Sequence, residues 1–582
     1  DWLMDTSDGP SISSGRPDVS TSAAKGDASS ASKLNLAGAG SIAWNDFDET
    51  NKVTISGEKL STGAIVFDSN TVAVEALTEK WVGAFAGGAA IAAARGGSTS
   101  ANVGIGGASA VNNSVFTNTV NITVSSLVDG TTVAQGLGLA VAAGQSTASV
   151  GVDAGVSVNL VENTVGATVS KLVNKTEKED GEASGSSEDF VYDQTAWSGE
   201  TQVTGGTAVG VAAGGSTASA AVGASVAVAD ITNTITSTLS DSKISDAKDI
   251  RVRALASLTQ VNTAVGANVA AKGQAGAVLS GAVVSADIGN TVTASAVRTN
   301  IEAAEDANVV IAARDAGTGE GEEAHEFAER VPGVDGPMSR DALLNRDLLA
   351  DIELKQSEDD TVGVDVKDQF VDAADMTQVS VAVGIGTAQG STGAGAGSAG
   401  VVAGNFSNHF EADSTGLTIT QAMSGTNGLQ FSQAAASGVS TVNVAAGVAG
   451  AGGGSGFNLA IAGSVVSAGI DQTATATADG LAIETDRLTG AVAAQNKAHT
   501  VSVAGNVSAT IGKLGAGLGA AVMVSDVRNT ADATIKNATL AGGSFVADAE
   551  NEAESWGVAA NAAVSANAAV GGSYAQNRVL NN

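Results

Sequence analysis

The chain has no cysteine, which excludes disulfide staples, thiolate metal sites and a thiol nucleophile. Aromatic residues make up only 3%, with five tryptophans and two tyrosines, leaving little material for a carbohydrate-stacking cleft. Proline occurs four times, at Pro10, Pro17, Pro332 and Pro337. Proline cannot donate to a strand ladder, so the long tracts without it suit stacked strands. Histidine occurs three times. His325 in EEAHEFAER lacks the second histidine of an HExxH zinc pair, and His409 and His499 each stand alone in strand-like tracts. No Ser-His-Asp set can be argued. Basic residues are also short: 28 Lys and Arg against 61 Asp and Glu give a net charge of −33. That balance argues against nucleic acid and anionic membrane surfaces as partners. No apolar run of about 18 residues is free of glycine and polar residues, so no membrane-spanning helix is expected.

What is present is small. Hydrophobic residues reach 43%, mostly Ala and Val, beside 74 glycines. Such side chains make a thin core, suited to sheets whose backbones approach closely. One phrase recurs: GASVAVADITNT (223–234), GAVVSADIGNT (281–291) and GAAVMVSDVRNT (519–530). Its copies end at Asn118, Asn163, Asn233, Asn290, Asn408 and Asn529, with variants at Glu49 and Gln472 and a truncated last copy at Asn581. By subtraction the steps are 69, 45, 70, 57, 118, 64, 57 and 52 residues, the longest being two units or one with a long insertion. Periods of this size mean an array of supersecondary units.

Within each unit apolar and polar residues alternate with period two, Val and Thr are frequent, and Gly, Asn, Asp and Ser mark the breaks. Dense interior glycines, each costing a helix about 1 kcal/mol relative to Ala, argue against a helical reading of the Ala-rich tracts. A helix is expected only over 339–355. The expected fold is all-β: a parallel β-solenoid (β-helix) of repeats of roughly 45–70 residues with loop insertions. The phrase reads as strand, corner, strand. Asn118, Asn163, Asn233, Asn290, Asn408, Asn529 and Asn581 form its corner ladder, because Asn tolerates a left-handed backbone and its amide can bond from rung to rung.

The expected organisation is a linker or N-terminal arm at 1–32, repeats at 33–171, an acidic loop at 172–200, repeats at 201–314, an acidic insertion with a short helix at 315–375, and repeats at 376–582. The first unit lacks its first arm and the last stops at VLNN without a dissimilar cap. The expectation is that the protein continues or that chains stack end to end.

Candidate calcium ligands are Asp46, Asp48 and Glu49 in WNDFDET, and Glu358, Asp359 and Asp360. Oxygen ligands at alternate positions suit a hard cation, although no DxDxDG loop or GGxGxDxUx tandem is present. Calcium is the one cofactor considered. No GK[ST] follows the glycine-rich stretches, so no nucleotide loop is read there. Threonine arrays of the ice-binding kind are not expected either, since no regular TxT column runs through the copies.

VGASVAVADITNTITSTL (222–239) and LSGAVVSADIGNTVTASA (279–296) resemble the Gly/Ala/Val β-strand repeats of very large secreted bacterial surface proteins, among them filamentous-haemagglutinin-like adhesins and leukotoxin-like exoproteins. The resemblance covers roughly 33–582 outside the two insertions. It implies a parallel β-solenoid, export, and a role in adhesion or an extracellular structure.

The expected function is structural and non-enzymatic: a subunit of a bacterial surface fibre, or the stalk of a giant adhesin, at the cell surface. Its partners would be copies of itself end to end, and a host or neighbouring cell. A glycan- or protein-binding module using the insertions is the alternative, and a polysaccharide-acting β-helix enzyme the third reading.

Overall fold

The computed structural model describes residues 18–30, 34–53, 65–66, 75–94, 101–120, 125–144, 148–170, 172–173, 190–213, 217–315, 354–356, 362–364, 376–421 and 428–582. Over these residues the chain is all-β. Twenty strands join one sheet whose pairings are parallel, and a separate two-stranded sheet pairs Leu354–Gln356 antiparallel with Val362–Val364.

Each repeat contributes two strand segments, which run as one continuous strand in Lys243–Val297 and Met376–Thr415 and are parted by short bends at 454–456 and 512–513 farther on, and each segment pairs with its counterpart in the next copy. One series runs from Asp18–Ser30 through Glu75–Ala94, Ser125–Gly144 and Phe190–Ala213 into Lys243–Val297. The other runs from Leu34–Val53 through Ala101–Val120, Ala148–Ser170 and Ala218–Ser240 into the second half of Lys243–Val297. Both series continue through Met376–Thr415 to the C-terminal strands Thr539–Val564 and Ala568–Asn581.

Burial alternates along much of the sheet and becomes continuous in stretches such as 431–439 and 490–496. In Ala218–Ser240 every second residue from Ser219 to Leu239 is buried. The inward row begins small, with Ser219, Ala221, Gly223, Ser225, Ala227 and Ala229, and ends large, with Ile231, Ile235 and Leu239. The opposed strands match this taper. At the small end their backbones touch: a Cβ placed on Gly206 would lie 2.6 Å from the Val226 carbonyl oxygen, and one on Gly384 would overlap the Ala399 carbonyl. Ala227, Ala264 and Ala282 share a core cluster there. At the large end Ile231, Ile235, Leu239, Val252, Phe406 and Phe410 belong to one continuous core. Phe406, Phe410 and Phe431 fill this wider end, and Phe431 stacks on Phe545 with ring centroids 5.8 Å apart.

Several boundaries differ from expectation. Residues 18–30, assigned to an arm, form a strand paired with Glu75–Ala94. Residues 190–200, assigned to an acidic loop, are the start of Phe190–Ala213, with Tyr192 opposite Ile250 and Trp197 opposite Leu255. Here buried residues run nearly consecutively, Gln194, Thr195, Ala196, Ser198 and Glu200 among them, so the segment belongs to the interior in spite of its polar composition. The 118-residue step is one unit with an insertion. Ala256 pairs with Asp315 and Thr259 with Thr377, so 316–375 stand where the other copy has Ser257 alone. Residues 339–353 of the expected helix and all four prolines lie outside the described residues, while Leu354 and Lys355 at its end are in a strand. Among the described residues no helix is long and apolar enough to cross a membrane.

Candidate functional site: interior polar ladders and a buried acid

Period two carries polar side chains inward at fixed points of every copy, where each must find a partner. Asn163 Nδ2 donates to Asn233 Oδ1 at 2.7 Å, Asn233 Nδ2 to Asn290 Oδ1 at 2.7 Å, and Asn290 Nδ2 to Asn408 Oδ1 at 2.8 Å. Asn408 Nδ2 then donates to Ser437 Oγ at 2.8 Å. The register continues this column through Gln472, Asn529 and Asn581. Gln472 and Asn529 turn to the backbone carbonyls of Lys497 and Glu552.

These asparagines do not form a corner. Asn233 lies within an unbroken strand whose alternation passes straight through it. The left-handed residues come eight positions later, in a column of Asp241 (φ 50°), Arg298 (φ 47°), Gly416 (φ 62°), Gly480 (φ 69°) and Asn537 (φ 50°). There Arg298 grips Asp241 with two hydrogen bonds, Nε to Oδ1 at 2.6 Å and Nη2 to Oδ2 at 3.0 Å. Asn118 is also displaced: it pairs with Asn51 and Val165, and Phe116 occupies the column between Glu49 and Asn163. Ending the phrase at Asn-Thr hides this two-residue slip, because the N-terminal copies carry Asn at different points.

A second ladder escaped the sequence reading. Gln260 Nε2 donates to Gln202 Oε1 at 2.6 Å, and Gln378 Nε2 to Gln260 Oε1 at 3.0 Å. Thr441 and Thr500 extend the column, their hydroxyls 2.8 Å apart. Its signal is the repeated Thr-Gln-Val at 201–203, 259–261 and 377–379.

Outside, the register aligns threonines that linear spacing scatters: Thr164, Thr234, Thr291, Thr473 and Thr530 share one column, broken by His409. Two residues on, the column reads Gly166, Thr236, Thr293, Glu411, Thr475 and Asp532, so no regular TxT array runs through these rungs. In the broken rung His409 Nε2 stands 3.9 Å from Glu411 Oε2, and farther along His499 Nε2 stands 3.9 Å from Glu554 Oε2. His325 lies outside the described residues.

Asp46, Asp48 and Glu49 fall inside the strand Leu34–Val53 and not in a turn, while Glu358, Asp359 and Asp360 lie outside the described residues. Among the described residues no three His, Cys, Asp or Glu side chains gather as a metal site.

Asp153 is a perturbed acid in the interior. It is 3% exposed, and neither carboxylate oxygen meets another residue's donor. Asp153 and Asn268 oxygens both close on the space beside Gly210, and Asn268 Oδ1 also lacks a partner. Burial raises the Asp153 carboxyl to about 7, its own backbone amide offsetting only part of the effect. On the outer surface burial, and then the neighbouring Asp287, raises Asp230.

No protein-family model matches this chain, and neither a curated protein nor a solved structure is similar to it.

Proposed function

We propose that this chain is a structural, non-enzymatic rod: a parallel β-solenoid segment of an extracellular bacterial fibre or adhesin stalk, whose copies associate end to end. The observation that carries this reading is the register. One residue-to-residue correspondence runs through the asparagine column from Asn163 to Asn581 and survives the 118-residue step. Backbone ladders and side-chain amide ladders then run along the same direction, which is how a stacked array resists bending and stretching. The load falls on many equivalent small interfaces, and the chemistry at each is hydrogen bonding and close Gly/Ala packing. Insertions enter at single points of a rung, where they can display binding loops without disturbing it.

Electron microscopy of the purified chain, with calcium and with chelator, tests this. Rods whose length grows with concentration are expected. Compact particles under both conditions would overturn the rod. Rods of a single fixed length would overturn end-to-end association and leave a stalk. Fibres that disperse only in chelator would place calcium at the joints.

A further inference from the structure

The interior explains many glycines, but not all. Gly206 and Gly384 face an opposed backbone that a side chain would strike. Gly281 and Gly463 point the other way: the nearest atom to a Cβ on Gly281 is the Ala224 Cβ at 3.9 Å, and nothing lies within 4 Å of one on Gly463. A glycine inside a strand weakens it, and often marks the close approach of another backbone. Nothing described in this chain makes that approach.

These glycines lie in an outward column formed by Ala154, Ala224, Gly281, Ala399, Gly463 and Ala520. On one side stands a ridge that is valine in six successive rungs, Val156, Val226, Val283, Val401, Val465 and Val522, with Ser109 before them and Tyr574 after. On the other stands a second ridge of Val152, Val222, Leu279, Ile461 and Leu518, interrupted at Gly397. The ridges are open to solvent; Leu279 is 61% exposed and Val465 41%. The result is a sheet face of ridge, groove and ridge, with no charged side chain in these three columns. Its acidic margin begins at Asp230, Asp287 and Asp526, which share a column.

We infer that this face pairs laterally with the same face of a second copy of the chain, a valine ridge of each seated in the small-residue groove of the other. The dimensions suffice. The uncharged outward face extends one column beyond each ridge, over Ala220 to Val228 in one rung and the matching residues of the other five, so six rungs at about 4.8 Å and nine residues at about 3.3 Å give a face of roughly 29 Å by 30 Å. That is about 800 Å² per copy, the size of a standard stable interface. The pattern is self-complementary, as in the dry interfaces of stacked sheets, because a ridge and a groove of equal repeat lie side by side on one surface. An antiparallel arrangement holds the acidic margins of the two copies apart. This contact is lateral and independent of association at the ends, so rods would bundle side by side as well as lengthen.

The test is sedimentation velocity on the full chain across a concentration series, for the wild type and for Gly281→Val/Gly463→Val. That variant fills the groove with residues that favour strands and meet nothing inside the molecule. It should keep the wild-type circular dichroism and melting temperature and lose lateral association, the dissociation constant rising at least about tenfold, the equivalent of about 1.4 kcal/mol. Val226→Lys/Val465→Lys, which charges the ridge, should do the same. Rod length in the microscope should stay unchanged in both, which separates this contact from end-to-end growth. Wild-type association retained by both variants would overturn the proposal. So would a wild type that stays single at every concentration, including one that binds phosphatidylcholine vesicles through this face.

Discussion

Asn233 both accepts and donates in the amide ladder, so Asn233→Ala strands the Asn163 amide and the Asn290 carbonyl oxygen away from water. Each orphaned buried group costs about 1–3 kcal/mol, and denaturant unfolding should show a loss of that size. A change near zero would mean that the ladder adds nothing to stability. Asp153 predicts a pH dependence. Its carboxyl is raised from 3.8 to about 7 by burial, so the folded state holds a proton that the unfolded state releases. Between those values stability must fall as pH rises, and the loss is complete above about 7. Asp153→Asn removes that slope and should stabilise the protein at pH 8 by an amount of order 4 kcal/mol, the new amide having Asn268 Oδ1 to bond. Wild type and variant melting with the same pH profile would show that Asp153 is not held in a dry interior. At this scale the asparagines were legible because one residue type recurs at the end of a conspicuous phrase. The glutamines recur as plainly in Thr-Gln-Val, but a polar residue in an alternating tract reads as outward until the opposed strand shows which face is inside. Asp153 was hidden for the same reason.

In a strand pair, the fate of a substitution depends on which face carries it. Ala227→Phe places a ring in a cluster where Ala264 and Ala282 leave no room. Overpacking of this kind costs about 1–3 kcal/mol or more, and thermal melting should report it; an unchanged melting temperature would mean that Ala227 does not meet the opposed sheet. Gly384→Val drives a side chain into the Ala399 carbonyl and should be worse tolerated than Gly281→Val, which enters open space. Both positions are glycine in an Ala/Val tract, and nothing local distinguishes them. The sequence showed strands by period two, but glycine clusters such as 393–400 lie inside a continuous strand. It misplaced the corner: Asn tolerates a left-handed backbone, but the phrase Asn-Thr lies mid-strand, and Asp241, Arg298 and Asn537 turn the chain eight residues on.

Across the whole molecule, register is the quantity that matters. Residues 316–375 occupy the place of one residue, since Asp315 pairs with Ala256 and Thr377 with Thr259. Replacing 316–375 by a single glycine should therefore leave rod dimensions and melting temperature within error of the wild type. Shortened rods, or separate melting of the two halves, would show that the insertion holds the repeats together. The same replacement separates scaffold from binding, because a ligand lost with the insertion while the rod persists would belong to the loop.

By itself the sequence determined the class of structure. Missing cysteines, scarce prolines and aromatics, period-two alternation and an Asn-terminated phrase leave strands in repeating units as the physical solution, since small side chains can be buried only where backbones lie close. The tertiary structure decided which face of each strand is inside. A strand's two faces carry similar Ala, Val and Gly, so only the opposed layer separates a packed glycine from an open one. It also decided the register, which stacks Gln202 on Gln260 and Thr234 on Thr291, because pairing joins residues that linear spacing sets 57, 58 or 118 apart, and it alone turns scattered repeats into columns.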